Sequence, residues 1–107
     1  MWFVTVVEMM DNDECASRYN DYGFVPTGEQ RTWGFYFNRE DAVDSLHRNV
    51  TDMHEFFYNY AVIEEYDEGI SGYTGERQWF RWDHNKNGFF EIDEPSYVKN
   101  IHCFALG

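Results

Sequence analysis

Trp2 to Met9, WFVTVVEM, is a run of β-branched and aromatic residues and predicts a first strand. Residues 10–30 mix Asn, Asp, Gly and a Pro without a sustained period and predict a long loop. Arg31 to Phe37, RTWGFYF, predicts a second strand with Trp33, Phe35 and Phe37 on one side. Asn38 then has the short polar side chain of an N-cap, and Glu40 and Asp41 follow where the helix dipole favours acids. Ala42, Val43, Leu46 and Val50 recur at helical spacing, so residues 39–49 read as an amphipathic helix. Thr51, with Glu55 shortly after it, supplies a second start signal, and Met53, Phe56, Phe57 and Tyr60 give a short apolar helical face.

From Tyr60 the pattern becomes AVIEEY, a strand that runs into a turn at Asp67-Glu68-Gly69. Residues 69–76, GISGYTGE, read as a glycine-rich loop. Gln78 to Trp82 and Phe89 to Asp93 read as two strands joined by HNKNG, in which Asn87-Gly88 is a turn dipeptide. Ile101 to Ala105 suggests a last short strand. Together these elements predict an α+β single domain over residues 1–107: a mostly antiparallel sheet of five to six strands with two short helices packed on one face.

Composition narrows the function classes. Aromatic residues make up 21% of the 107 residues, far too many for a disordered acidic tail. Twenty Asp and Glu stand against eight Lys and Arg, a formal net charge of -12. Such a chain lacks the cations that direct binding to nucleic acid or to an anionic membrane face requires. No window approaches the ~18 apolar residues of a membrane span, and the N-terminus lacks the basic start of a signal peptide. Cys15 and Cys103 do not make a disulfide framework, and the expected setting is cytoplasmic, with reduced thiols.

The most specific local pattern is Asp83-His84-Asn85-Lys86-Asn87-Gly88-Phe89-Phe90-Glu91-Ile92-Asp93-Glu94. It matches a calcium loop: oxygen donors at the first, third and fifth places, glycine at the sixth and Glu at the twelfth. The flanks oppose that reading. WFRW before the loop suits a strand, and Pro95 sits where an exiting helix would begin. A hairpin explains the same letters, and no metal or other cofactor is expected. No HExxH, CxxC, GxSxG or phosphate-loop spacing appears, and His47, His54, His84 and His102 stand apart among surface residues. The chain is read as a non-enzyme with no catalytic residues.

The acids are clustered. Between Glu40 and Glu68 nine acids stand against one base, Arg48, a local net of -8. Asp41 and Asp44 share a face of the first helix, and Asp52 and Glu55 share a face of the second. On the extended strand Glu64 and Glu68 would point to one side, Glu65 and Asp67 to the other. One reading is a solvated face that keeps an aromatic-rich chain soluble. The other is an electrostatic decoy, a firm plate of Asp41, Asp44, Asp52, Glu55, Glu64, Glu65, Asp67 and Glu68 that mimics nucleic acid and fills a Lys- and Arg-lined groove.

At RTWGFYFNREDAV, at NVTDMHEFFYNYAVIEEYDEGI, and from WFRWD to Pro95 with the ending CFALG, the chain resembles a family of small acidic uncharacterised proteins encoded by gut Firmicutes and their mobile elements. The resemblance covers most of the length. It implies no activity and carries over no functional residue, but it implies an ordinary hairpin at WFRWD-to-Pro95. The mobile-element association makes an anti-CRISPR-like inhibitor one expected role, by analogy. The leading expectation is therefore an acidic interaction protein whose partner is a basic nucleic-acid-binding protein. Two alternatives stand beside it: a binder of small nucleotide-like ligands, with Arg31, Arg77 and Arg81 gripping phosphate, and a calcium-binding loop at residues 83–94.

Overall fold

The computed structural model of the protein describes residues 1–9, 27–48, 58–70, 72–83, 85–95, 98 and 101–105. Their order is β1 (Trp2–Met9), β2 (Thr27–Tyr36), α1 (Arg39–His47), β3 (Tyr60–Tyr66), β4 (Tyr73–Asp83) and β5 (Gly88–Ile92). The strands form one five-stranded sheet in the order β2-β1-β3-β4-β5, and every neighbouring pair is antiparallel. The architecture is thus α+β, with one α-helix among the described residues. The second helix expected from Thr51 onward falls for the most part at residues 51–57, outside the described residues. Tyr60, counted on its face, instead opens β3.

Strand parity divides the core in two. Trp2, Val4 and Val6 of β1, Ala61 and Ile63 of β3, Phe80 of β4 and Phe89 of β5 share one face, where Ala42 and Leu46 of α1 close over them. Val7, Tyr60, Val62 and Trp79 share the opposite face, and there Val98, Ile101 and Phe104 of the C-terminal segment form the cover. Both faces of the sheet are therefore buried, which is why β3 is buried at nearly every position and reads as a continuous apolar run.

Asn38 caps α1 as its sequence position suggests. Its Oδ1 accepts the Asp41 backbone N–H at 2.9 Å, with Glu40 and Asp41 in the first turn. The helix ends against the β4–β5 turn, where a Cβ on Gly88 would lie 2.4 Å from the His47 carbonyl oxygen, so only glycine fits. Asn87, just before it, holds a φ of 53°.

Two strands begin well before the sequence reading has them, and one expected strand is replaced by another arrangement. β2 begins at Thr27, not Arg31, because β1 stays extended to Met9 and pairs with Thr27. β4 begins at Tyr73, inside the expected loop, because Tyr73 pairs with Tyr66. Ile101 to Ala105 carries no strand; its backbone bonds to side chains of the sheet face rather than to a ladder. The sheet has five described strands for that reason.

Candidate functional site

The expected acidic plate does not form as drawn. Glu64 shares parity with Tyr60 and Val62, so it points into the second core and is 0% exposed. Its carboxylate accepts the Phe104 N–H at 3.0 Å and the Ala105 N–H at 2.9 Å, and lies 3.7 Å from Arg77. Glu64 is a buried clasp for the C-terminal segment and leaves the set of partner-binding carboxylates. Asp44 is paired with Arg48 at 2.9 Å, and Asp41 is turned to Asn38, whose Nδ2 donates to it at 2.9 Å. Asp52 and Glu55 lie outside the described residues.

The clasp centres on Arg77, directly across from Glu64 in the β3–β4 ladder. Its guanidinium donates to the Glu94 carboxylate, to the Ile101 carbonyl at 2.9 Å, and to the Val98 and His102 carbonyls at 3.3 Å. Trp79 Nε1 donates to the same Glu94 oxygen at 3.0 Å. Burial pushes the Glu64 carboxyl above the ordinary carboxylate range, and the Ala105 and Phe104 N–H groups and Arg77 offset part of that rise. Burial also raises the Tyr73 hydroxyl, with Arg77 opposing. A cavity of about 340 Å³ lies beside Arg77, lined by Tyr73, Gly75, Glu94, Ile101 and His102. With Glu64, Glu94 and three carbonyls already on it, Arg77 serves to hold the chain together.

What the structure does assemble is an aromatic and acidic end of the sheet. The registers Trp2 with Tyr36, Trp2 with Glu65 and Tyr66 with Tyr73 bring the start of β1, the end of β2 and the β3–β4 turn to one end. Since α1 starts three residues after Tyr36, Glu40 and Asp41 lie at that end too. Across it runs a row of rings: Phe37 to Phe35 at 6.0 Å, Phe35 to Phe3 at 5.8 Å, and Phe3 to Tyr66 at 5.1 Å. Phe35 is 51% and Phe37 82% exposed. A cavity of about 540 Å³ opens there, lined by Met1, Phe3, Phe37, Tyr66, Asp67, Glu68 and Gly69.

The turn expected at Asp67-Glu68-Gly69 is present, and it corrects the placing of Asp67 and Glu68 on opposite sides of an extended strand. β3 stops at Tyr66, and the turn, closed by the Asp67 N–H to the Gly72 carbonyl at 2.7 Å, puts both on the rim of one cavity. Glu65, half-buried, accepts from the Thr74 hydroxyl at 3.2 Å. Of the expected carboxylates, the fold brings Asp67 and Glu68 together and keeps Glu65 at the same end. The sequence reading missed Phe35 and Phe37 as exposed rings and half-buried Phe3 beneath them. The available signal was that Phe37 directly precedes the helix cap, beyond the last pair of the ladder.

The two other site readings meet different geometry. β4 and β5 pair as the expected hairpin, with Asp83 across from Gly88 and Asp83 Oδ1 accepting the Asn85 N–H at 2.8 Å. Glu94, the twelfth position of the calcium pattern, is turned to Arg77 and Trp79 at the far end of β5, so the loop does not close around one point. Arg31 stacks over Trp33 at 4.8 Å, on the helix side, while Arg77 and Arg81 line the opposite face with Trp79 and Tyr60. The three arginines do not converge on a phosphate. Among the described residues no helix is long and apolar enough to cross a membrane. Comparison of the chain with protein-family models, with curated proteins and with solved structures gives no match.

Proposed function

We propose that this protein is a non-enzymatic acidic interaction protein that docks on a basic protein surface of the kind that holds nucleic acid, and competes with nucleic acid there. The observation that carries the reading is the sheet end where Phe35 and Phe37 stand exposed beside the cavity rimmed by Asp67 and Glu68. Large rings left in water cost free energy that a partner surface recovers, and aromatic anchors dominate such contacts. The surrounding carboxylates select a cationic partner, steer its approach and repel nucleic acid and acidic proteins. The inhibitor role implied by the mobile-element resemblance is one setting for this activity.

The test uses a fluorescently labelled arginine-rich peptide as the probe and the full chain as the receptor. Affinity is expected to fall by about tenfold or more between 50 and 300 mM NaCl. Reversing the charge with D67K and E68K together should abolish binding, and duplex DNA should compete for the peptide. A binding constant indifferent to salt and to the double reversal would remove the proposal.

A further inference from the structure

We propose that the cavity between Phe3, Phe37, Tyr66, Asp67 and Glu68 is a socket for a single arginine side chain of a partner protein; this rests on the interaction reading above and names its anchor. Three rings and two carboxylates line one space of about 540 Å³. That combination suits a guanidinium, which stacks flat on an aromatic face and pairs with a carboxylate through two parallel N–H bonds. An aliphatic group would leave the acidic rim unused, and an anion would be repelled by it.

The molecule uses the same chemistry on its own cations. Arg31 sits over Trp33 at 4.8 Å, Arg81 over Tyr60 at 5.5 Å, and Arg77 over Phe104 at 5.8 Å. The described lining of this cavity has the rings and the acids but no Lys or Arg side chain. Its one cation is the Met1 ammonium, which donates to the Tyr66 carbonyl at 3.3 Å and leaves Asp67 and Glu68 in excess. Phe37, 82% exposed, is placed as the outer wall against which an incoming side chain would lie. The methylene stem of the arginine would follow its head group in and lie against Met1 and Phe3.

The experiment is an NMR titration of the full chain with acetylated Gly-Ser peptides carrying one arginine, one citrulline or one lysine. The arginine peptide is expected to shift the Tyr66 and Glu68 resonances saturably. Citrulline, neutral and nearly the same shape, should bind about tenfold more weakly, and lysine about threefold more weakly. F37A, at an exposed position, and D67N with E68Q should each weaken the arginine peptide about fivefold or more, with circular dichroism unchanged. Equal binding of arginine and citrulline overturns the socket, and equal binding of lysine overturns the guanidinium assignment. If F37A binds the arginine-rich probe like wild type while D67K with E68K abolishes it, the acidic docking reading stands and the socket falls. Binding of that probe that is indifferent both to salt and to the double reversal removes both.

Discussion

Glu64 shows how far a residue's role depends on what stands across the sheet from it. In the sequence it is one acid among nine in an acidic stretch; in the fold it is a fully buried carboxylate facing Arg77. Removing its cation should be severe: R77A is expected to cost about 3–5 kcal/mol, because a buried charge is left uncompensated. Chemical denaturation measures that loss. The pH dependence follows from the raised pKa. The folded carboxyl binds its proton more tightly than the unfolded chain does, so its contribution is full below the ordinary carboxylate range and fades as pH rises through the raised value. E64Q, which keeps an acceptor for the Phe104 and Ala105 N–H groups, should therefore gain stability relative to wild type between about pH 4 and pH 7. Urea unfolding of both proteins at the two pH values tests the sign. The burial was partly legible, since Glu64 alternates with Tyr60 and Val62; it was hidden because parity groups the acids by side and does not say which side is covered.

At the scale of elements, α1 and the C-terminal segment cover opposite faces of the sheet by different means. α1 relies on Ala42 and Leu46 packed on the first core, and on the close approach of its C-terminal end to Gly88. G88A places a methyl where the His47 carbonyl lies, so the helix end must lift; a loss of about 1–3 kcal/mol is expected. Amide exchange should localise the effect to residues 44–48 and the β4–β5 turn, and unchanged protection there would contradict the packing argument. The C-terminal segment relies on Val98 and Phe104 as apolar anchors, and on backbone groups bonded to Glu64 and Arg77. Its expected strand was misread for a physical reason: an apolar run such as Ile101 to Ala105 states that the segment is buried, not whether its N–H groups find a ladder or a carboxylate.

For the whole molecule, net charge and aromatic content set the behaviour in solution. A charge of -12 on 107 residues repels itself in the compact state, and salt screens that repulsion. Raising NaCl from about 10 mM to about 0.5 M should therefore raise the Tm by several degrees, while the same change weakens the arginine-rich probe. Opposite responses of stability and binding to one variable would separate general self-repulsion from a directed acidic contact. Thermal unfolding and anisotropy at matched salt supply the two readings.

The amino-acid pattern by itself determined most of the elements: β1, the cap and first turn of α1, β3, the pairing of β4 with β5, and an antiparallel α+β arrangement. These follow from local propensity, period and turn chemistry, which act over a few residues. Tertiary structure decided which acids and which aromatic rings face solvent, beyond the hint that alternation with Tyr60 and Val62 gave for Glu64. Glu64 went inside because Arg77 and the C-terminal N–H groups met it there, and Phe37 stayed outside because β2 ends before it. Asp67 and Glu68 met at one rim because the chain turns there. Pairing across a sheet brings together residues far apart in the chain, and no local pattern states which ones.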